Sequence, residues 1–363
     1  MQYLITGGGI IGMMTALMLR QQGADVTLID RQLAGRESTW AGGGIVSPLY
    51  PWRYPESVTR LASRSQALYP ELTDYLLETS GIDPEYLISG MLTIAPDEEQ
   101  DALQWATKNH KQLSRIPKDE ISELEPEFAP DTESAIWMPD VAQVRNPRIA
   151  KSMRETIIRL GVELLEEHEL HGLVTDSGKV TGVETSKGIL HADNIILCTG
   201  AWTAQLVSLF SDLIPVIEPV RGQMILFKTA PDLIKHITLW EDRYAIPRKD
   251  GRILFGSTVE YSGFIKQTTE DAEAELYDVV TNRYPILKEY EVELQWAGLR
   301  PGSPSGVPYI ARHPEYENLY INAGHFRNGV VLAPASCELM LKLLAGTADE
   351  SESHDYMLEA ERS

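Results

Sequence analysis

The length, composition and charge of the chain exclude several classes of protein. Its 363 residues, of which 43% are hydrophobic, suffice for two or three domains with packed cores. The 53 acidic and 32 basic side chains give a formal net charge of -21, which would repel nucleic-acid phosphates and anionic lipid heads. We therefore expect no nucleic-acid and no membrane partner.

Cysteine and histidine usage argues against disulfides and metals. The two cysteines, Cys198 and Cys337, lie far apart and form no C-x-x-C pair. His168 and His171 would face opposite sides of a predicted strand, so we expect no metal site. No apolar run reaches the roughly 20 residues of a bilayer span, and a strand begins at once where a signal peptide would stand. We expect an unexported, cytoplasmic protein.

The first predicted elements, in residues 3–30, are a strand, a glycine-rich turn, a helix and a second strand. Gly7, Gly9 and Gly12 fit the pattern G-x-G-x-x-G at the turn. Asp30 closes the second strand, where such an acid bonds a ribose hydroxyl pair. The glycines permit a tight turn, close approach of a pyrophosphate to the helix amino terminus, and close packing of helix on sheet. The segment predicts a dinucleotide site, and its acid disfavours the 2′-phosphate of NADP.

The elements that follow divide between two predicted domains. A loop rich in glycine and proline precedes a long helix that ends at Gly81, and short apolar pieces separated by acidic loops come next. A helix behind Asn146 leads to strands that return to the first domain, and three later segments alternate like antiparallel strands. The predicted fold class is α/β (α+β), with a Rossmann-like dinucleotide-binding domain and a mainly antiparallel-sheet substrate domain. We expect the first domain to comprise 1–81, 146–214 and 301–346, the second 82–145 and 215–300, and an acidic, frayed tail 347–363.

Two further segments narrow the choice of dinucleotide. Gly42, Gly43 and Gly44 lie in a loop whose backbone can lie against a flat ring or a phosphate, although a plain surface loop is the alternative. Near the carboxyl end, a strand runs through His325 and Arg327 into a helix. The positive end of that helix would stabilise negative charge on a reduced flavin, which favours flavin over nicotinamide.

Several motifs together resemble one known family. They are the amino-terminal fingerprint, STWAGGGIVSP, ILCTGAW, YAIPRKDGRILFGST, WAGLRPGSPSGVPYI and GHFRNGVVLAPA, and they extend over nearly the whole chain apart from the tail. This combination resembles the D-amino acid oxidase family of FAD-dependent amine oxidases. The resemblance implies noncovalent FAD, because Cys337 lies away from the position of a covalent flavin link in relatives. It also implies molecular oxygen as a reactant and a homo-oligomer, since homotetramers occur in the family.

The resemblance also implies roles at the reactive centre. Arg300 of GLRPGSPSG would hold the substrate carboxylate, Tyr244 of YAIPR would support it, and Arg327 would approach the substrate amine with its backbone carbonyl. From the residues alone, a guanidinium can take a carboxylate with two parallel bonds. A loop arginine paired with an acid and a half-buried strand tyrosine are the alternatives. This chain has Asp242 where Bacillus-type members carry a histidine, which leaves the substrate preference open.

The candidate FAD-binding residues are spread along the whole chain. They are Gly7, Gly9, Ile10, Ile11, Gly12, Asp30, Arg31, Thr39, Ala41, Gly42, Gly43, Gly44, Leu170, Gly200, Trp202, His325, Arg327, Asn328, Gly329, Val330 and Leu332. By the resemblance, Leu170 matches a position whose backbone meets the adenine. The residues from Arg327 to Leu332 match positions that line the flavin ring.

The implied reaction is the oxidation of the carbon–nitrogen bond of a small amino-acid substrate. Glycine, sarcosine or a small D-amino acid would be oxidised to an imine, and oxygen would be reduced to hydrogen peroxide. The imine would then hydrolyse to a 2-oxo acid and ammonia or be used to form the thiazole of thiamine. One alternative is a D-amino acid dehydrogenase that passes electrons to another acceptor. Another is a noncatalytic flavin-binding or tRNA-modification module, against which the net charge of -21 argues.

Overall fold

The computed structural model describes residues 1–362, and its strands form two main sheets with smaller ones beside them. In chain order the strands are β1 (Gln2–Thr6), β2 (Asp25–Ile29), β3 (Leu87–Ile88), β4 (Met91–Ile94), β5 (Ser114–Pro117), β6 (Ser134–Met138), β7 (Ala142–Gln143), β8 (Glu163–Leu165), β9 (Leu170–Asp176), β10 (Lys179–Thr185), β11 (Gly188–His191), β12 (Asn194–Leu197), β13 (Glu218–Lys228), β14 (Ile237–Trp240), β15 (Arg243–Pro247), β16 (Arg252–Gly256), β17 (Val292–Gly302), β18 (Tyr309–Arg312) and β19 (Leu319–Ala323). The helices are α1 (Ile10–Gln21), α2 (Ser38–Ala41), α3 (Glu56–Ser80), α4 (Glu99–Lys108), α5 (Lys118–Leu124), α6 (Asn146–Arg159), α7 (Thr203–Val207), α8 (Glu270–Arg283), α9 (Gly329–Leu344) and α10 (Glu350–Ser353). Within residues 1–362, none of these helices combines the length and the apolar character that a bilayer crossing requires.

The first sheet carries the amino-terminal glycine turn. Its strand order is β18-β19-β12-β1-β2-β8, and it is parallel except for β18. Because successive strand residues point to opposite faces, Ile5 packs in the core formed with α1, α3, α6 and α9, while Leu4 packs against the small sheet β11-β10-β9. The turn between β1 and α1 therefore lies at the carboxyl edge of a parallel sheet, where open α/β sheets bind ligands.

The second sheet has the order β17-β13-β16-β15-β14-β4-β6-β5 and is antiparallel apart from the β14–β4 pair. Helix α8 covers one face through Leu276, which packs in a core with Phe227 and Phe255. The opposite face carries Tyr244 and packs with Ile45 of the loop that follows α2. The second sheet thus presents its inner face to a loop of the first domain.

The predicted fold class is confirmed. The strands of the first sheet and of β11-β10-β9 lie in residues 1–81, 146–214 and 301–346, whereas the second sheet extends through β17 to Gly302, past the boundary predicted at residue 300. The long helix ends as predicted, because Gly81 adopts a φ of 75° at its carboxyl end.

The carboxyl-terminal segment differs from the frayed tail expected for residues 347–363. Residues 350–356 form α10 and a 3-10 turn, and Tyr356 is fully buried. The Tyr356 hydroxyl donates a hydrogen bond to the carbonyl of Ser57 at 2.8 Å. One aromatic side chain therefore anchors an otherwise acidic segment, while Ser363 lies outside the described residues.

Candidate active site

A long cleft runs from the carboxyl edge of the first sheet to the inner face of the second sheet. Asp30 and Trp202 line its first part, and Tyr244 and Arg300 line its second part. The residues that line both parts are Gly9, Ser38, Thr39, Cys198 and Gly200. The two parts therefore form one elongated site that extends from the first sheet to the second sheet.

The first glycine turn leaves no room for side chains at two of its three fingerprint positions. Gly7 has a φ of 97°, and a Cβ there would lie 2.4 Å from the carbonyl oxygen of Cys198. A Cβ on Gly12 would lie 1.9 Å from the carbonyl oxygen of Gly7. At Gly9 the nearest atom would be the Thr39 hydroxyl at 3.4 Å. Two glycines thus serve backbone packing, and Gly9 keeps its space for a ligand.

The amino terminus of α1 points into the shared part of the cleft. Its N-cap is Gly9, which has no side chain to accept bonds from the first N–H groups. Thr39 accepts a hydrogen bond from the Ile10 N–H at 2.8 Å. The positive end of this helix suits a pyrophosphate.

Asp30 and its neighbours form the far end of the first part. The Asp30 carboxylate accepts hydrogen bonds from the N–H groups of Gly8 at 2.7 Å and Gln32 at 2.9 Å. Burial raises the pKa of Asp30, and these two bonds oppose the rise. The Arg31 guanidinium lies 3.8 Å from the centre of the Trp202 ring. An oriented carboxylate and a flat cationic wall suit the ribose and the base of a dinucleotide.

The second glycine loop is shaped by contacts with distant residues. A Cβ on Gly43 would lie 2.8 Å from Cδ1 of Ile246, and one on Gly44 would lie 2.0 Å from the carbonyl oxygen of Val144. The Arg248 guanidinium donates to the carbonyl of Gly43 at 2.7 Å and to that of Val144 at 3.0 Å. Burial lowers the pKa of Arg248 to about 10, so it remains charged at neutral pH. The second domain therefore holds this loop in place.

Arg300 is a partly buried cation with neutral partners. Its guanidinium donates to the Ser257 hydroxyl at 2.5 Å and to the Thr258 carbonyl at 3.2 Å. It fits because residue 222 is glycine: a Cβ on Gly222 would lie 2.1 Å from Nη2 of Arg300. Burial lowers the pKa of Arg300, and within residues 1–362 no acidic side chain forms an ion pair with it. A partly buried guanidinium without an acid beside it is suited to receive a carboxylate ligand.

Tyr244 and Arg327 line the same end of the cleft. Tyr244 is 7% exposed, and its hydroxyl donates at 3.2 Å to Ser257, whose hydroxyl also accepts from Arg300. The Arg327 guanidinium lies 3.4 Å from the backbone carbonyl of Asp242. The Asp242 carboxylate pairs with Arg53 at 3.1 Å. Asp242 therefore shares the charge of Arg53 with Glu98, which lies 2.5 Å from the same guanidinium.

The amino terminus of α9 faces this end as well. Its first residues, Gly329 and Val330, line the cleft, and its N-cap Asn328 makes no side-chain cap. His325 is buried beside them, with Nε2 3.0 Å from the Ser336 hydroxyl. Burial lowers the pKa of His325 to about 3, so its ring is neutral near pH 7. The positive helix end would stabilise negative charge on a ring bound here.

The chain was compared with known proteins. A family model described as FAD dependent oxidoreductase (DAO) matches residues 2–343. The chain belongs to this family. It is 46% identical to the glycine oxidase of Pseudomonas putida over 346 residues, which cover 95% of this chain and 94% of that one. It is 31% identical over 343 residues to the bifunctional protein ThiO/ThiG of Trichormus variabilis, covering 93% of this chain and 51% of that one.

A solved structure agrees with this assignment. The crystal structure of glycine oxidase from Bacillus cereus ATCC 14579 matches with a TM-score of 0.91 and 28% identity, over 99% of both chains. The predictions of the family, of the fold class and of FAD as the cofactor of this FAD-dependent oxidoreductase are confirmed.

The cleft of this FAD-dependent oxidoreductase fits its cofactor. The amino termini of α1 and α9 both face it, one at the shared part and one at the reactive end. The buried Oδ1 atoms of Asn146 and Asn322 have no hydrogen-bond partner within residues 1–362, and Asn322 lines the reactive end. The glycine at residue 9 leaves space against the backbone. These features suit a long ligand with a charged middle and a polar flat ring.

Most candidate site residues line this cleft. They are Gly7, Gly9, Ile10, Ile11, Asp30, Arg31, Thr39, Ala41, Gly42, Gly43, Gly44, Leu170, Gly200, Trp202, Tyr244, Arg300, His325, Arg327, Gly329 and Val330. Gly12 packs against the turn instead. Asn328 and Leu332, which we expected beside the flavin ring, are 2% and 0% exposed and do not line the cleft. Leu332 is part of the apolar core under the first sheet.

Three residues that shape the reactive end were not predicted from the sequence: Gly222, Arg248 and Ser257. A glycine within an alternating strand pattern can signal close approach of another group, which was the available sign for Gly222. Arg248 follows the YAIP strand, and its position next to a motif was the available sign. No sequence feature indicated Ser257, because its role depends on the hydrogen bonds that its hydroxyl accepts from Tyr244 and Arg300.

Proposed function

We propose that this protein is a glycine oxidase that uses FAD and molecular oxygen. It oxidises glycine and other small amines, such as sarcosine and small D-amino acids, to the imine, and hydrogen peroxide forms. Water then converts the imine to the 2-oxo acid and ammonia. The observation that carries the proposal is Arg300, a partly buried cation without an acidic partner at the reactive end of an FAD-dependent oxidoreductase.

Arg300 binds the substrate carboxylate. Two parallel N–H donors match its two oxygens, and low exposure strengthens both bonds. The Tyr244 hydroxyl lies beside the same guanidinium and rotates from Ser257 to donate to a carboxylate oxygen. The substrate is thus anchored at one end, which fixes the direction of its α-carbon.

The amine reacts in its neutral form, because its lone pair must form the imine. Among the described residues that line the reactive end there is no aspartate, glutamate or lysine. The two cations Arg300 and Arg327 disfavour an ammonium ion and lower the pKa of the bound amine. His325 is neutral and hydrogen-bonded to Ser336. The site therefore favours loss of the amine proton to solvent without a side-chain base.

FAD, when bound, would supply the redox chemistry as the acceptor of the α-carbon hydride; oxygen would take up that hydride together with one proton from solvent as hydrogen peroxide. The second glycine loop, held by Arg248, and the first turn of α9 line the place where its ring would lie.

The test is oxygen consumption and peroxide formation by the purified, FAD-loaded protein with glycine. Arg300→Met should lower kcat/KM for glycine by about 100-fold or more while FAD binding stays. The exposed Arg312→Met serves as the matched control and should change neither. Equal loss of FAD binding and activity in Arg300→Met would remove the role of Arg300. Flavin reduction by substrate without peroxide would instead favour a dehydrogenase with another electron acceptor.

We further propose that the enzyme works in the cytoplasm as a homo-oligomer and that its imine supplies the thiazole of thiamine. The exposed apolar side chains Leu209, Leu213 and Ile214 support association, because such groups gain by burial between subunits. The similarity to the bifunctional protein ThiO/ThiG supports the metabolic role. Light scattering tests the first proposal, and rescue of a thiamine-requiring strain that lacks a glycine oxidase tests the second.

A further inference from the structure

A second cavity, not used by the proposed function, adjoins the substrate end of the cleft. Its volume is about 790 Å³. The residues that line it are Arg53, Tyr54, Pro55, Val216, Glu218, Tyr261, Gly302, Ser303, Pro304, Ser305, Gly306 and Phe326. Val216 and Tyr261 are 64% and 70% exposed, so they form its outer rim. The cavity is therefore reachable from solvent and directly neighbours the reactive end.

Phe326 separates the two spaces. Among residues 1–362 it is the residue that lines both the reactive end and the second cavity. Its φ of 45° lies in the left-handed region, which bulky side chains rarely adopt. Its ring belongs to none of the packed apolar cores in the described part of the chain. The Phe326 side chain therefore lies between the reactive end and the second cavity and does not pack in an apolar core.

The second cavity suits an apolar group without negative charge, because Glu218 also lines it and would repel an anion. Tyr54, Pro55 and Pro304 supply apolar and aromatic surface. The charge of Arg53 is compensated by Glu98 at 2.5 Å and Asp242 at 3.1 Å. Apolar cavities of about 150 Å³ hold benzene in other proteins, so the space here exceeds what a benzyl group needs.

We propose that the second cavity is a subsite for an apolar substituent of larger amino-acid amines and that Phe326 sets the size limit of the substrate. The inference rests on the proposed function and adds a specificity residue to it. With the ring in place, a ligand anchored at Arg300 has room for a small substituent. With the ring removed or rotated, the same ligand reaches the cavity behind it.

The test compares glycine with N-benzylglycine, because substitution at nitrogen leaves the oxidised α-carbon unchanged. In Phe326→Ala holoenzyme, the ratio of kcat/KM for N-benzylglycine to that for glycine should rise about tenfold or more. Leu49→Ala is the matched control, since Leu49 lines the reactive end and not the second cavity. It enlarges the site without joining the two spaces, so its ratio should change less than about threefold.

A filling variant distinguishes the second cavity from simple enlargement. Val216 lies at the exposed rim, so Val216→Trp can fill the cavity without disturbing a core. Added to Phe326→Ala, it should cancel most of the gain for N-benzylglycine. Light scattering of each variant checks that the oligomeric state is unchanged.

A binding measurement tests the subsite without turnover. Benzyloxyacetate carries an ether oxygen in place of the amine, and calorimetry should show about tenfold tighter binding to Phe326→Ala than to wild type. Methoxyacetate should bind both alike. If Phe326→Ala retains no FAD, Phe326→Leu replaces it, with a smaller gain in the same direction.

The subsite would be overturned if Phe326→Ala and Leu49→Ala had equal ratios of kcat/KM for N-benzylglycine to that for glycine. It would also be overturned if adding Val216→Trp to Phe326→Ala left the gain for N-benzylglycine unchanged. Failure of the wild type to oxidise glycine would overturn the proposed function, and benzyloxyacetate binding would still decide the role of Phe326.

Discussion

Both glycine-rich segments of this protein exclude side chains for steric reasons, but the contacts that do so are local in the first segment and long-range in the second. In the first, a Cβ on Gly12 would collide with Gly7, five residues away in the same turn. In the second, a Cβ on Gly44 would collide with Val144, and Gly43 is held by Arg248, about 200 residues further along the chain. The first segment is a local motif of one domain, whereas the second takes its shape from the meeting of two domains. The reactive end therefore depends on contacts between the second glycine loop and residues distant in the chain, such as Val144 and Arg248.

Gly12→Ala should break the first segment most strongly. The new Cβ would lie 1.9 Å from a backbone oxygen, so the turn between β1 and α1 must open. We expect the free energy of unfolding in urea to fall by more than about 4 kcal/mol and FAD to be lost. Gly9→Ala is the control: its Cβ meets Thr39 at 3.4 Å, so stability should stay within about 1 kcal/mol while FAD binds more weakly. Equal stability of the two variants would contradict this division of roles.

Arg248→Met should break the second segment while leaving the first intact. It removes donors to the carbonyls of Gly43 and Val144 and to the Gln143 side chain. We expect a loss of about 3 kcal/mol in the free energy of unfolding and an altered visible circular dichroism of bound FAD. As a control, Arg252→Met removes partly exposed ion pairs with Asp250 and Glu293 and should cost about 1 kcal/mol or less. An unchanged circular dichroism of bound FAD in Arg248→Met would show that the second glycine loop keeps its conformation without these hydrogen bonds.

His325→Gln should change the pH dependence of stability at the reactive end. The pKa of His325 is about 3 in the folded protein and about 6.5 when unfolded, so the unfolded state binds the extra proton between these values. The free energy of unfolding therefore falls as the pH is lowered from about 6.5 towards 3, by up to about 1.4 kcal/mol per pH unit from this residue. Glutamine can still bond Ser336 and does not titrate. Urea titrations at several pH values should show a shallower slope for the variant, and identical slopes would refute the assignment.

Arg31→Ala should have the smallest effect. Its guanidinium forms a half-exposed pair with Glu37 at 3.0 Å and lies over Trp202. Such contacts contribute about 0.5–1 kcal/mol, so the Kd for FAD should rise less than about fivefold. Fluorescence titration of the apoprotein measures it. A rise in the Kd for FAD beyond tenfold would mean that FAD binding at this end of the cleft depends mainly on Arg31.

Local pattern was enough to predict the start of the molecule and the class of the fold. The β1-α1-β2 unit follows from apolar spacing and glycine placement within 30 residues. Helix α9 was harder, because its first turns are apolar on all sides, so spacing did not show that Val330 faces the cleft and Leu332 faces the core. The tail was misjudged for a related reason, since acidic composition concealed the single anchoring ring of Tyr356.

The sequence by itself determined the dinucleotide turn, the family, the cofactor and the identity of Arg300 and Tyr244 as candidates, because each rests on a short motif. The tertiary structure decided that Arg300 has neutral partners, that Gly222 makes room for it, and that Phe326 separates two cavities. These features are contacts between strands and loops that lie far apart in the chain. Their geometry follows from sheet register and domain packing, which no local pattern of residues specifies.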